Sequence, residues 1–282
     1  MIYVSTGLIK NQSFDEIVSR FHKNGINNIE LSGGLHDPKI FEKLSSYKNT
    51  KINFMLHNYF PPPKTPFTLN LATLNDDLYK NCKDHIINSI KISSKLGIKY
   101  YSFHAGYLID PDPKELGKKI KKKKKNDETK ATEKFLERLV FFSEFSKNEG
   151  VELLIENNVI NKENFDTFDG NPLLMTSIDQ TENLVKNFPE NVNILLDLAH
   201  LKVSANTLKF SASNYIKKFD NKIKAYHLSD NEGLYDTNDL ITKDSWFWDY
   251  ISRNKDYYTL ELNTFDINKI KKQIQILNNF LE

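Results

Sequence analysis

Acidic and imidazole side chains follow apolar runs at several points of the sequence. The run NILL ends at Asp197, and His200 stands three residues later; similar runs end at Glu156, at His227 and at Glu261. A carboxylate at the end of a buried run needs a partner, because an unpaired buried charge is very costly in free energy. Carboxylate and imidazole together form the ligand set of zinc, manganese, iron or cobalt. The pattern therefore indicates a metal site.

Four of these residues could encircle one ion: Glu156, Asp197, His227 and Glu261. Each of them singly is more often a salt-bridged or solvated loop residue than a ligand. Their shared context, in LLIEN, LLDLAH, YHLSD and LELN, favours the metal interpretation. A bound metal polarises a carbonyl or hydroxyl oxygen or activates water, and carboxylates beside it can move protons to and from carbon.

Earlier apolar runs end in three further polar residues, Glu30, His57 and His104. We expect all three to contact substrate, and a second ion is an alternative role for the two histidines. Four of the seven histidines in the chain stand at or just after such run ends.

Eight apolar runs are typical of strands, and helical patterns alternate with them. The predicted helices cover residues 14–25, 39–47, 76–96, 132–148, 177–187, 211–219, 246–252 and 267–281, and a polar loop is predicted over 157–171. Alternation of this kind implies parallel strands, and eight such units imply a single (β/α)8 barrel domain over residues 1–282. The carboxyl ends of barrel strands share one face, so the polar run ends are expected to converge there.

The composition is that of a protein able to bury a core, with 39% hydrophobic and 27% charged residues. A net charge of +2 gives no overall attraction to nucleic acid or to a membrane. The single cysteine, Cys82, excludes a disulfide framework. We expect a cytoplasmic protein without a signal peptide or a membrane span.

The segments HNYF, FHAG, IENN, DLAH, HLSD and LEL resemble the xylose isomerase-like barrel superfamily over nearly the whole chain. That superfamily contains sugar isomerases and epimerases, and also abasic-site nucleases of the endonuclease IV type. Resemblance to the sugar enzymes implies that Glu156, Asp197, His227 and Glu261 bind one divalent ion. It also implies that Glu156 and Glu261 form the acid/base pair acting at carbon, and that His200 contacts the substrate.

Resemblance to the nuclease branch implies ligands for three zinc ions at His57, His104, Glu156, Asp197, His200, His227, Asp236 and Glu261. The segments LNLAT and KLGIKYYSFHAG resemble that branch as well. The branch has Asp-x-His after the seventh strand, whereas this chain has Asp236, Thr237 and Asn238, and Asn is a poor zinc ligand. The second strand, IELSGG, resembles the sugar enzymes and shows no basic or aromatic wedge for a DNA groove.

Two other features leave alternatives open. The lysine run (residues 118–125) could grip a phosphate backbone, although such runs are more often solvated helix faces or mobile loops. Lysines or arginines near the site could also hold a sugar phosphate. Four aromatic residues could line a substrate pocket or pack at the barrel rim: Tyr59, Phe60, Trp246 and Phe247.

We therefore expect an isomerase or epimerase of a sugar or sugar phosphate that depends on Zn, Mn or Co. Glu156 or Glu261 would take a proton beside the carbonyl and the other would return it, while His57 and His200 orient hydroxyls. The alternative is a metal-dependent phosphodiesterase on abasic DNA. A third hypothesis is a barrel without catalysis that serves as a binding module.

Overall fold

A computed structural model describes residues 1–9 and 11–282. Eight strands form a closed barrel in which each strand runs parallel to both neighbours. The strands are β1 (Ile2–Ser5), β2 (Asn28–Leu31), β3 (Asn53–His57), β4 (Tyr100–His104), β5 (Glu152–Glu156), β6 (Val192–Asp197), β7 (Ile223–Leu228) and β8 (Tyr257–Leu260). The prediction of a (β/α)8 barrel is confirmed.

Helices stand between consecutive strands from β1 to β7 in chain order, and one follows β8, whereas the described residues between β7 and β8 form no α-helix. The α-helices in the described residues are α1 (Phe14–Lys23), α2 (Ile40–Ser46), α3 (Asp76–Leu96), α4 (Glu128–Asn148), α5 (Lys162–Thr167), α6 (Ile178–Val185), α7 (Leu198–Leu208), α8 (Ala212–Phe219) and α9 (Ile267–Leu281). Their ends follow local chemistry. Ser13 and Glu16 form a capping box at α1, and Gly97, at a φ of 72°, ends α3 in the left-handed conformation that glycine adopts without strain.

The strand register brings the polar strand ends to a common level. His104 is the register partner of Glu156, and Asp197 is the partner of His227. The residues before these ends are buried, since every residue of β6 and of β8 lies in the interior. The apolar strand bodies and the inner faces of the helices therefore make the core, and one end of the barrel is left to polar side chains.

Three segments differ from the sequence predictions. Residues 246–252 were expected to be helical but form a turn, in which the amides of Tyr250 and Ile251 both donate to the Phe247 carbonyl. The Phe247 side chain is buried, so its packing, and not a helical periodicity of the sequence, determines the backbone conformation of this segment. The predicted polar loop contains α5, which Asn161 caps.

The third difference is α7, which sequence patterning did not reveal. It begins directly after β6, because the Asp197 side chain accepts a hydrogen bond from the His200 amide and so serves as the helix cap. No described helix is long and apolar enough to cross a membrane.

Candidate functional site

Four of the predicted ligands meet at the carboxyl end of the barrel. Glu156 ends β5, Asp197 ends β6, His227 lies in β7, and Glu261 directly follows β8. One ligand atom from each of the four lies within 4.8 Å of the others. We call these residues the carboxylate side of the site. Three of them are buried, and Glu261 is partly exposed.

His227 is at the centre of the carboxylate side. Its Nδ1 atom lies 3.0 Å from Glu261 Oε2, 3.2 Å from Glu156 Oε1 and 3.9 Å from Asp197 Oδ2. One ring nitrogen therefore faces oxygens of three carboxylates from three different strands.

Several of these atoms lack a hydrogen-bond partner. Within the described part of the chain, both carboxylate oxygens of Glu156, Asp197 Oδ2 and His227 Nδ1 are buried and make no hydrogen bond. Buried polar atoms are ordinarily satisfied, and each exception needs an explanation. A divalent cation would satisfy Asp197 Oδ2, His227 Nδ1 and one oxygen of Glu156 at once. Carboxylate oxygens with an imidazole nitrogen are suitable ligands for Zn²⁺, Mn²⁺ or Co²⁺, so the donor set fits the expected ion.

A second group shares Glu156. Glu156 Oε2 lies 3.2 Å from His57 Nε2 and 3.2 Å from His104 Nδ1. These three residues also bring ligand atoms within 4.8 Å of one another. We call His57 and His104 the imidazole side of the site. Ser102 supports this side, since its hydroxyl lies 2.9 Å from His57 Nδ1.

Charge and burial set the protonation of the site. Burial alone would raise the pKa of Glu156, but His104, His57 and His227 hold that pKa well below its usual range. Burial, opposed by His200 and reinforced by the Asp236 carboxylate, raises the pKa of Asp197 to about 7. Burial lowers the pKa of His104 to about 4 against the attraction of Glu156, so His104 is a neutral imidazole near pH 7.

His200 lies beside both sides without belonging to either ligand group. Its Nδ1 is 3.0 Å from the Asn157 carbonyl oxygen, and its Nε2 is 3.1 Å from Asp236 Oδ2. Asn238 directs its amide nitrogen toward Asp236 at 3.5 Å and accepts a hydrogen bond from Ser229. The position where the nuclease pattern needs an imidazole is thus taken by an amide that is already hydrogen-bonded.

Glu30 is placed differently from the other predicted substrate contacts. It is completely buried, and its Oε2 atom lies 3.1 Å from His227 Nε2 and accepts a hydrogen bond from Thr259 at 3.0 Å. His57, His104 and His200 line the cavity above the site, whereas Glu30 is not among the described residues that line it. A role for Glu30 in substrate contact stays a prediction without geometric support.

A cavity of about 840 Å³ opens above the ligands. Glu261, His200 and Asp236 form part of its floor, and Tyr107 and Phe67 are among its aromatic walls. The volume lies in the range of small-molecule sites, about 300–1,000 Å³.

The four aromatic residues considered from the sequence divide between wall and core. Tyr59 lines the cavity. Phe60 and Phe247 are buried in the hydrophobic core, and Trp246 packs edge-on against Phe247 with ring centroids 5.8 Å apart.

The sequence also matches a known protein family. The family model described as xylose isomerase-like TIM barrel matches residues 18–253. The chain belongs to this family. The superfamily resemblance of the short motifs is thereby confirmed.

Solved structures share the fold over the full length of this family member. A D-tagatose 3-epimerase-like protein is 16% identical with a TM-score of 0.73, and the match covers 100% of this chain and 99% of that one. A D-psicose 3-epimerase from Clostridium cellulolyticum H10, solved with D-tagatose, is 13% identical with a TM-score of 0.71 over 100% and 99% of the two chains. The IolI protein with a bound zinc atom is 16% identical with a TM-score of 0.65 over 99% and 95%. No curated protein matches the chain by sequence.

Two residues that shape the site were not predicted from the sequence. Asn157 brackets Asp197, accepting a hydrogen bond from its amide at 2.8 Å and donating to its carbonyl at 3.1 Å. Gly7 leaves room for Glu261, since a Cβ atom on Gly7 would lie 2.8 Å from Glu261 Oε1. The two asparagines directly after Glu156 were a signal in the sequence for the contact between Asn157 and Asp197. The contact between Gly7 and Glu261 depends on a close approach of distant segments, for which the sequence gives no sign.

The lysine run is an irregular segment between β4 and α4. Three of its members pair with carboxylates: Lys119 with Glu163 at 3.0 Å, Lys122 with Asp169 at 2.8 Å, and Lys123 with Glu115 at 3.2 Å. The Asn164 side chain also accepts a hydrogen bond from the Ile120 amide and donates one to the Lys118 carbonyl. Much of the run is therefore bound to the protein itself.

Proposed function

We propose that this chain is a divalent-metal-dependent isomerase or epimerase of a small sugar or sugar phosphate. The observation that carries the proposal is the carboxylate side, because Glu156 and Glu261 stand in one ligand group directly beneath a cavity of small-molecule size. The structures with a similar fold include a D-psicose 3-epimerase and a D-tagatose 3-epimerase-like protein, which agrees with this class of reaction.

Glu156, Asp197, His227 and Glu261 would hold the ion, and zinc, manganese or cobalt suits this donor set. When bound, the ion would polarise a substrate carbonyl and the adjacent hydroxyl, which acidifies the C–H bond beside them. The similar IolI structure contains a bound zinc atom, which agrees with a metal in a protein of this fold.

The carboxylates would move the proton. Glu261 lines the cavity with a side chain that is 15% exposed, so it is accessible to substrate, whereas Glu156 is fully enclosed behind it. We propose that Glu261 exchanges the proton with carbon. Glu156 is not among the described residues that line the cavity, so its role in the opposite step stays a prediction from the family resemblance without geometric support.

The cavity histidines would orient the substrate. His200 and His57 stand on either side of Glu156. Both nitrogens of each ring already have partners, so a sugar hydroxyl would take the place of Asp236 at His200 or of Ser102 at His57. His104, held neutral by burial, would also hydrogen-bond a sugar hydroxyl on the imidazole side.

Solvent-deuterium uptake tests the proposal. The protein, loaded in turn with Zn²⁺, Mn²⁺ and Co²⁺, is incubated in D2O with D-psicose, D-tagatose, D-fructose and their phosphate esters, and exchange beside the carbonyl is followed by NMR. We expect exchange with at least one substrate and a loss of at least about 100-fold in Glu261→Gln. Glu137→Gln, a surface carboxylate on α4 paired with Lys134, is the matched control and should behave as wild type. Wild-type exchange in Glu261→Gln, or none with the whole panel, would contradict the proposal.

A second candidate is a phosphodiesterase acting on abasic DNA, and the imidazole side favours it. His57, His104 and Glu156 could hold a second ion bridged by Glu156. The amide of Asn238 and the paired lysines weigh against it. Cleavage of a duplex with one abasic site, under each of the three metals, distinguishes the two functions. Cleavage that disappears in Glu261→Gln would establish the nuclease.

A further inference from the structure

We propose that Glu30 is a positioning residue that fixes the His227 ring for metal binding from beneath the site. The inference rests on the proposed metal-dependent function and assigns Glu30 to the support of a ligand in place of substrate contact.

The contacts that carry it lie inside the barrel. Glu30 comes from β2, His227 from β7 and Thr259 from β8, and all three are completely buried. Glu30 Oε2 lies 3.1 Å from His227 Nε2 and 3.0 Å from the Thr259 hydroxyl, which donates to it. One carboxylate oxygen of Glu30 is thus fixed by side chains from two other strands of the barrel.

The two nitrogens of His227 face two different environments. Nε2 faces Glu30, and Nδ1 faces the oxygens of Glu156 and Glu261 at 3.2 and 3.0 Å. A carboxylate can only accept, so Nε2 carries a proton. With a metal bound, the Nδ1 lone pair then points at the ion, and the tautomer and ring angle are both fixed. Carboxylates behind a ligating histidine commonly act in this way and also increase its basicity.

Burial of the Glu30 carboxylate costs free energy that a role in packing alone would not justify. Among the described residues its second oxygen, Oε1, is buried without a hydrogen-bond partner. A side chain kept only for packing would be better served by an apolar residue of similar volume. His227 is the only described imidazole in hydrogen-bond contact with Glu30. A requirement of His227 for this carboxylate accounts for the burial of Glu30.

Metal affinity, measured directly, tests the inference. Co²⁺ and Zn²⁺ binding to the full chain is measured by chelator competition for wild type, Glu30→Gln, Thr259→Val and the surface control Glu137→Gln. We expect Glu30→Gln to weaken binding by about 10- to 100-fold, the usual range for loss of such a partner. Thr259→Val, which leaves the Glu30 carboxylate in place, should weaken binding less, and Glu137→Gln should match wild type.

A second readout separates positioning from structural support. The visible absorption spectrum of the Co²⁺ protein reports ligand geometry and should change in Glu30→Gln. The unfolding midpoint of the metal-free variant should stay at or above that of wild type. Affinity within twofold of wild type in Glu30→Gln would overturn the inference and leave the proposed function standing. Failure of wild type to bind either ion would overturn both. If Glu30→Gln fails to fold, Glu30→Asp, which withdraws the carboxylate from His227 Nε2, decides by the same affinity criterion.

Discussion

The two sides of the site share Glu156 but differ in charge. The carboxylate side gathers Glu156, Asp197 and Glu261 around the single imidazole of His227. The imidazole side places His57 and His104 against one oxygen of Glu156. The first side has an excess of negative charge, whereas the second contributes neutral or cationic groups.

This difference indicates where an ion is needed. The carboxylate side leaves Asp197 Oδ2 and His227 Nδ1 without hydrogen bonds in the described residues. On the imidazole side, His104 Nδ1 is likewise buried without a hydrogen bond among the described residues, whereas His57 has neighbours within hydrogen-bond distance at both nitrogens, Ser102 and Glu156. The number of carboxylates, three against one, therefore distinguishes the two sides. Because buried like charges repel strongly, we infer that the first ion binds the carboxylate side. On the imidazole side, His104 lines the cavity and is then available to substrate.

Removal of the shared residue should have the largest effect. Glu156→Ala takes a ligand from both sides, so we expect Co²⁺ affinity to fall by more than about 1,000-fold, consistent with loss of a ligand and not of its support alone. Isothermal titration with Co²⁺ measures this. Retention of tight binding in Glu156→Ala would show that the two sides do not depend on a common carboxylate.

Crowding Glu261 should break the carboxylate side alone. In Gly7→Ala the new Cβ would lie 2.8 Å from Glu261 Oε1 and 2.9 Å from Ser32 Oγ. A displacement of this size near reacting groups can reduce turnover by about 100-fold. The deuterium-exchange rate measures the loss, and thermal unfolding checks that the barrel persists. A variant with wild-type exchange would mean that Glu261 tolerates the shift.

Acid should release metal from the carboxylate side. The pKa of Asp197 is raised to about 7 in the metal-free site, first by burial. A ligating carboxylate must be deprotonated, so below pH 7 the ion has to displace a proton. Affinity should therefore fall by at least about tenfold for each pH unit as the pH drops from 7 to 5. Co²⁺ dissociation constants at several pH values between 5 and 9 provide the profile, and a flat profile would contradict the assignment of Asp197 as a ligand.

The imidazole side should matter little for the first ion. His104→Ala leaves all four residues of the carboxylate side intact, so we expect Co²⁺ affinity to change by no more than about threefold. The KM of an exchanging sugar should rise, since a substrate contact is lost. Loss of a bound ion in His104→Ala would instead indicate the two-ion site of the nuclease hypothesis.

The lysine run should contribute least. Lys121 and Lys124 are exposed and lie outside the ion pairs identified in the described residues. Their double replacement by alanine should leave sugar exchange within about twofold of wild type, because neither lysine lines the cavity, whereas Lys118 and Lys119 do, and exposed charges that do not touch a site have small effects. A large drop in affinity for duplex DNA would be evidence that the run binds phosphate backbone.

The sequence was most informative where local pattern determines structure. Apolar runs that end in Glu156 or Asp197 predicted the strands, and eight of them predicted the barrel and the common face. Family membership of the chain agrees with the motifs. The same periodicity failed at residues 246–252, where the buried Phe247 decides the backbone, and at α7, whose cap is the site residue Asp197 itself.

Contacts between distant segments could not be predicted from the sequence. Glu30 stands at a strand end like the other candidates, but only the folded barrel shows that it faces His227 from below. Gly7 and Glu261 are separated by nearly the whole chain, yet they meet because β1 and β8 are neighbours in the closed sheet. Side-chain direction across a barrel is a tertiary property, so residue type and spacing cannot supply it.

The most direct test is a count of tightly bound ions. Metal-free protein is titrated with Co²⁺, and the stoichiometry is determined for wild type and for the double variant His57→Ala, His104→Ala. If only the carboxylate side binds an ion tightly, one tight ion per chain is expected in both proteins. Two tight ions in wild type and one in the double variant would contradict it, because the imidazole side would then be a metal site in its own right.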